Sequence, residues 1–110
     1  MLKGIGDLAK MGNMLKQAME MKQRIEEVKE NLGYERLEAA AGGGMVRLEL
    51  TGKMEVLSVK IDPEVINPNE PEVLETLVRA AVNEGIAKAR ELAEAKMREV
   101  ASGLDIPGLT

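Results

Sequence analysis

The spacing of apolar residues changes twice along this chain, and those changes limit the fold more than any other feature of the sequence. From about residue 7 to residue 32, apolar residues recur every three to four positions, as they do along one side of an α-helix. Between Tyr34 and Asp62 they alternate with polar residues, as in strands that bury one face. After Pro71 the helical spacing returns. The sequence therefore predicts the element order α-β-β-β-α.

The first helix, predicted over residues 7–32, carries two apolar rows with a seven-residue spacing. One row holds Leu8, Met11, Leu15, Ala18, Ile25 and Leu32, and the other holds Met14, Met21 and Val28. Lys22 and Lys29 interrupt the first row, so the stripe fits packing against a sheet and a second helix better than a pure coiled coil. The methionines have two interpretations. They lie in the core or in a dimer interface, which we favour, or they form a face that docks partner proteins.

Three antiparallel strands are predicted within residues 34–62. Their inward-facing residues are Leu37, Ala39 and Ala41, then Val46, Leu48 and Leu50, then Leu57, Val59 and Ile61. Gly42–Gly44 lies between the first two strands and predicts a hairpin turn. A phosphate-binding glycine loop would instead open into a helix, and here a strand follows. Asp62-Pro63 ends the third strand, because proline cannot donate a hydrogen bond to the ladder.

The second helix is predicted over residues 70–102, with an irregular tail over residues 103–110. Gly85 lies in its middle and costs about 1 kcal/mol relative to alanine. This position therefore indicates a bend or a close approach of another part of the backbone. Residues 1–110 together form a single α+β domain in this interpretation.

The composition excludes most catalytic chemistry. Cysteine and histidine are both absent, which excludes disulfides, thiolate or imidazole metal sites and histidine-activated nucleophiles such as Ser58 or Ser102. Asp62, Glu64 and Glu70 lack the fixed spacing of a cation-binding loop, so a solvated structural role is favoured over Mg²⁺ binding. We therefore predict no enzyme activity, metal, cofactor or small-molecule substrate.

The core must be aliphatic, because Phe and Trp are absent, Tyr34 is the single aromatic residue and eight methionines help to fill the interior. A small aliphatic core that supports long helices benefits from a partner chain, which predicts an oligomer. No segment approaches the roughly 20 apolar residues of a membrane span, and the start of the chain lacks the apolar run of a signal peptide. The expectation is a cytoplasmic protein without a membrane partner.

The charge is unevenly distributed along the chain. The net charge is −4, but residues 1–24 carry five basic and two acidic side chains. Residues 25–84 hold thirteen acids against six bases, and residues 85–110 balance four against four. Basic residues on a helix usually form a solvated face, and this is the simpler interpretation for both helices. The alternative is contact with nucleic-acid phosphates, which the negative net charge does not by itself support.

Three stretches together resemble the YbaB/EbfC family of bacterial nucleoid-associated proteins. The first is the Met- and Lys-rich segment from Met11 to Met21, and the second runs from Thr51-Gly52 through the strand Val56–Pro63 to Val65. The third includes Leu74, Leu77, Ala80-Ala81-Val82-Asn83, Lys88-Ala89, Lys96-Met97, Gly103-Leu104 and Pro107-Gly108. The resemblance covers nearly the whole chain, and its most specific parts are Ile61-Asp62-Pro63 and the Ala80–Asn83 block.

The resemblance implies a homodimer in which two three-stranded sheets meet and the long helices project as arms, giving a tweezer-like shape. It also implies binding to duplex DNA with little sequence preference, at the nucleoid, with effects on nucleoid organisation and gene expression. The implied dimer interface is the apolar sheet surface, with Leu48, Leu50, Leu57, Val59 and Ile61 as candidates.

The resemblance also implies contact with DNA through the terminal helices, so the basic residues of both helices are the candidates for DNA binding. They are Lys10, Lys16, Lys22 and Arg24 on the first helix and Lys88, Arg90, Lys96 and Arg98 on the last. The alternative is a protein-interaction scaffold that docks partner helices on its Met and Leu stripes.

Overall fold

The structure is a computed structural model that describes the backbone of residues 2–109 and the side chains of residue 4 and residues 6–102. Helix α1 spans Leu2–Leu32 and helix α2 spans Pro71–Leu109. Between them lie β1 (Arg36–Ala41), β2 (Val46–Thr51) and β3 (Val56–Ile61), followed by a short 3₁₀ turn at Pro63–Val65. The element order α-β-β-β-α is the predicted one.

Both helices are longer than the sequence predicts. Helix α1 begins at Leu2 rather than at residue 7, and α2 continues past Ser102 to Leu109. The predicted irregular tail over residues 103–110 is therefore helical as far as Leu109, and Thr110 lies outside the described residues. Gly103 does not end the helix, because a glycine in a helix costs only about 1 kcal/mol relative to alanine and needs a left-handed backbone to act as a stop.

The sheet is antiparallel throughout, with strand order β1-β2-β3. Ala39 pairs with Leu48, and Leu48 pairs in turn with Val59, so these three side chains lie on one face. A register shift near Glu49 and Leu50 places Val56, rather than Leu57, opposite Leu50. The predicted alternation of Leu57 with Val59 is thus interrupted by a bulge, since an extra residue in one strand displaces the pairing beyond it.

The core lies between α2 and the first two strands. Its fully covered residues are Ala39, Val46, Leu48, Leu50, Ala81 and Ala89. Gly85 sits at the closest approach, where an added Cβ would lie 3.2 Å from Leu50 Cδ1 and 3.4 Å from Ala39 Cβ. The absence of a side chain at Gly85 therefore lets α2 lie close to the sheet. The sequence predicted a bend or a close approach of another part of the backbone, and the atoms that approach Gly85 belong to side chains.

Helix α1 is attached to this core only by its second half. Leu32 is buried against the turn after β2, where an added Cβ on Gly52 would lie 2.7 Å from the Leu32 carbonyl oxygen. Ile25 and Val28 are half-buried, whereas every residue from Gly6 to Arg24 is exposed. The exposed part of α1, residues 6–24, is called the arm below, and it contributes to the elongated shape of 83 × 22 × 19 Å.

Candidate nucleic-acid interface

The arm presents the four basic residues predicted on the first helix. Lys10, Lys16, Lys22 and Arg24 are all exposed. Within the described part of the chain, none of them has a carboxylate oxygen within 4.0 Å. With about 3.6 residues per helical turn, Lys16 and Arg24 fall outside the apolar stripe, Lys10 lies at its edge, and Lys22 interrupts it. These unpaired cations can approach an external anion without first breaking an ion pair.

The apolar stripe of the arm is open to solvent. Its exposed large residues are Leu8 (68%), Met11 (59%), Met14 (68%), Leu15 (65%) and Met19 (72%). They do not belong to the core of a single chain, so the prediction that this part of the stripe packs against the sheet and a second helix is wrong. The reason is geometric, because α2 and the turn after β2 cover α1 only near its C-terminal end, at Ile25, Val28 and Leu32. Their use in a dimer interface stays a prediction.

The second half of α1 meets α2, and this contact brings together candidates from both helices. Arg24 and Lys96 line one shallow cleft with Val28 and Val100. Lys96 Nζ lies 4.0 Å from Glu99 Oε2 on the same helix, a distance at the limit of an ion pair. The cleft therefore combines one base from each helix with two acids, Glu27 and Glu99, so its lining carries no net positive charge.

Two further candidates on α2 are exposed on other sides of that helix. Arg90 and Arg98 have no carboxylate oxygen within 4.0 Å among the residues described. Arg98 lies on α2 two residues after Lys96 and does not line the cleft that Lys96 lines. Both side chains are free to contact an anion.

Lys88 has a different position from the other candidates. Its Nζ donates a 2.7 Å hydrogen bond to the carbonyl oxygen of Glu38 and lies 3.1 Å from Glu84 Oε1. Because β1 is an edge strand, this bond occupies a backbone acceptor that the sheet itself leaves unpaired. Lys88 thus joins α2 to the edge of the sheet, and its charge is already partly neutralised.

The five residues predicted for a dimer interface divide into two groups. Leu48 and Leu50 are buried, with 4% and 2% of their surfaces exposed, because α2 covers them within the chain. They are not available to a second copy. Leu57 (41%) and Val59 (51%) on β3 remain exposed, as does the neighbouring Val56 (49%), and Ile61 is half-buried.

The open face of the sheet carries basic residues that the sequence analysis did not single out. Arg47 and Lys60 are paired across β2 and β3, and both are exposed. The signal was present in the sequence, because Arg47 and Lys60 occupy polar positions in the alternating pattern of their strands. Finding the pair also requires the register between the strands, which the pattern does not supply.

Of the three carboxylates considered for a cation site, Asp62, Glu64 and Glu70, Asp62 stabilises the loop. Asp62 Oδ1 accepts a 2.9 Å hydrogen bond from the Glu64 backbone N–H at the start of the 3₁₀ turn. The described residues contain no cluster of three or more metal-ligating side chains, and none of the described helices is long and apolar enough to cross a membrane.

Proteins of known sequence share this chain's pattern over most of its length. A protein called nucleoid-associated protein from Alkaliphilus metalliredigens is 41% identical over 106 residues, covering 96% of this chain and 93% of that protein. A nucleoid-associated protein from Syntrophobacter fumaroxidans is 42% identical over 97 residues, covering 88% of each chain. The similarity includes both helices and the sheet.

Solved structures give the same architecture. An uncharacterised protein from Helicobacter pylori superposes with a TM-score of 0.64 at 22% sequence identity, covering 79% of this chain and 88% of that one. This likeness establishes the fold. The sequence model of the YbaB/EbfC DNA-binding family matches residues 7–104, which confirms the resemblance seen in the strand before Pro63 and in the Ala80–Asn83 block. This chain belongs to the YbaB/EbfC DNA-binding family.

Proposed function

We propose that the protein is a cytoplasmic, nucleoid-associated homodimer whose arms bind the phosphates of duplex DNA with little sequence preference. The observation that carries this proposal is the exposed arm, on which Lys10, Lys16, Lys22 and Arg24 have no carboxylate partner among the described residues. Lys and Arg contacts to phosphates position a protein on DNA without reading its sequence. Arg90, Lys96 and Arg98 on α2 complete the proposed contact set, and Lys88 is left out of it because it is bound at the sheet edge.

The homodimer is proposed to form along β3. This strand lies at the edge of the sheet, and Val56, Leu57 and Val59 expose apolar surface beside its unpaired backbone groups. An exposed apolar edge strand is a template for pairing with another chain, and two identical strands can pair antiparallel about a two-fold axis. Two arms held by one rigid sheet would allow the dimer to bend or bridge DNA, and so affect nucleoid organisation and gene expression.

Weak binding is expected, because each chain has a net charge of −4 and a dimer doubles it. Long-range attraction to DNA is therefore small, and the local basic surface must supply the binding energy. We expect a dissociation constant on the order of micromolar and a modest loss of affinity as salt is added.

The test is a titration of two unrelated labelled duplexes at two salt concentrations. A variant with Lys16, Lys22 and Arg24 all changed to Glu should bind at least about 100-fold more weakly at about 0.1 M salt, since three phosphate contacts are lost. The matched control changes Lys29, Lys53 and Arg79 to Glu, which alters the net charge equally at exposed positions outside the arm. Equal losses in both variants would reject the arm as the DNA-binding site.

A scaffold function is the second candidate, and the exposure of Leu8, Met11, Met14, Leu15 and Met19 favours it. A wide apolar stripe on a helix can dock the apolar face of a partner helix. The same titration separates the two functions. Absence of binding to either duplex at low salt would reject DNA binding and favour the scaffold. Duplex binding that persists after Met14 and Leu15 are changed to Gln would instead show that the basic residues, and not the apolar stripe, are responsible.

A further inference from the structure

The face of the sheet turned away from α2 carries its charges in rows across the strands. One row runs from Ala40 through Arg47 to Lys60. The next row runs from Glu38 through Glu49 to Ser58. Side chains alternate between the two faces of a strand, so both rows lie on the open face. Positive charge is therefore concentrated near the Gly42–Gly44 turn, and negative charge lies towards the middle of the sheet.

Arg47 and Lys60 form a cross-strand pair of like charge. Residues directly opposite each other in an antiparallel pair have Cβ atoms about 4.5–5.5 Å apart, and like charges there destabilise the sheet. Neither side chain has a carboxylate oxygen within 4.0 Å among the residues described. Arg36, on the same face, lies 4.0 Å from Glu49 and so has a partner. An anion placed between Arg47 and Lys60 would relieve their repulsion.

Arg47 is held in position by the turn. Its Nε donates a 3.0 Å hydrogen bond to the carbonyl oxygen of Gly44, and an added Cβ on Gly44 would lie 3.5 Å from that nitrogen. This bond uses one of the five N–H groups of the guanidinium and leaves the others for a ligand. Ordering the side chain before binding reduces the entropy lost when a ligand is bound.

Phosphate is the anion that suits this pair. A guanidinium can donate two parallel hydrogen bonds to phosphate oxygens, and a lysine ammonium adds a compact positive charge beside it. The groove that contains the pair is also lined by Glu38, Glu49, Glu84 and Lys88. Those carboxylates repel a long polyanion laid across the whole face, so the pair suits a single phosphate group near the turn.

We propose that Arg47 and Lys60 form a phosphate-binding site on the open face of the sheet, and that its ligand is a backbone phosphate of bound DNA. The identity of the ligand rests on the proposed DNA-binding function. Two copies joined antiparallel along β3 by a two-fold axis normal to the sheet would present their open faces on the same side. The dimer would then have two such sites on one face, each near a Gly42–Gly44 turn, at the end of the strands opposite to the attachment of α1 at Gly52.

The first experiment measures duplex affinity against salt concentration for the variant in which Arg47 and Lys60 are both changed to Gln. Loss of two phosphate contacts should reduce the slope of log affinity against log salt by about 1.8 and weaken binding up to about 60-fold at about 0.1 M salt. The Arg36→Gln variant is the control, because it removes a cation of the same face that already has a carboxylate partner. An unchanged slope in the double variant, or an equal loss in the control, would overturn the proposal.

The second experiment titrates the wild-type protein with inorganic phosphate and follows backbone amide resonances by NMR. Saturable shifts at Gly44, Arg47 and Lys60, absent in the double variant, support the site whether or not DNA binds. Absence of those shifts overturns the site. Failure of the wild-type protein to bind either duplex at low salt, with the phosphate shifts present, would instead reject the proposed function and retain the anion site. Circular dichroism of each variant shows whether the fold is kept.

Discussion

Met54, in the turn between β2 and β3, has an unfavourable backbone conformation. It is the one non-glycine residue with a positive φ, 65°, in the described part of the chain. Its N–H donates a 3.0 Å hydrogen bond to the Thr51 carbonyl oxygen, and the Thr51 hydroxyl accepts from the backbone N–H groups of Lys53 and Glu55. Hydrogen bonds within the turn therefore hold Met54 in a left-handed conformation that costs a side-chain-bearing residue about 1 kcal/mol or more.

Met54→Gly should raise the free energy of unfolding by about 0.5–1 kcal/mol, because glycine adopts this conformation without a steric cost. Lys53→Gly should lower the free energy of unfolding by a similar amount. Lys53 does not have a positive φ, so glycine relieves no strain there and only increases the conformational entropy of the unfolded chain. Urea denaturation followed by circular dichroism measures both changes. Destabilisation by Met54→Gly would show that the backbone there is not strained.

Gly85 allows helix α2 to pack closely against the sheet. Gly85→Val should lower the free energy of unfolding by about 1–3 kcal/mol, because the added atoms meet Leu50 and Ala39 in a filled core. Gly12→Val is the matched control, since no atom lies within 4 Å of a Cβ added at Gly12. Thermal unfolding of both variants tests the contrast, and equal stabilities would show that α2 can shift away from the sheet without cost.

Lys88 and Arg98 lie on the same helix but should differ in what they contribute to DNA binding. Lys88→Met should leave duplex affinity nearly unchanged and lower stability by roughly 0.5 kcal/mol, because it removes a bond to the β1 edge at an exposed site. Arg98→Met should weaken duplex binding severalfold without changing stability, since its guanidinium has no carboxylate partner among the described residues. Fluorescence anisotropy and thermal melts measure the two properties. A larger loss of affinity in the Lys88 variant would return that residue to the DNA-binding set.

In the whole molecule, the exposed apolar surface of β3 is the proposed site of association with a second copy of the chain. Val59→Glu should convert the proposed dimer to monomer, because it places a charge in apolar surface that becomes buried on association. Val73→Glu is the control, since Val73 on α2 is similarly exposed, at 49% against 51% for Val59. Light scattering at micromolar concentration reports the mass of each variant. A wild-type monomer would contradict both the dimer and the small-core argument.

The predictions from sequence succeed where the determining interactions are local. The helical repeat, the alternation in the strands and the stop at Asp62-Pro63 each depend on neighbouring residues, and the element order follows from them. Gly85 predicts either a bend or a close approach of another backbone, because a glycine within a helix costs stability unless something requires it. The structure shows a close approach, by the side chains of Leu50 and Ala39. The basic residues of the arm were identified from their position in the sequence, and their exposure agrees with that interpretation.

The sequence by itself determined the α+β class, the family and the basic character of the arm, because periodicity, turn residues and family motifs are properties of the chain in order. Only the tertiary structure decided which apolar residues are covered. It placed Leu48 and Leu50 under α2, left Val59 exposed, bound Lys88 to the edge of β1 and set Arg47 opposite Lys60. Each of these facts depends on the strand register and on which part of the sheet a helix covers. Both are set by contacts between residues far apart in sequence.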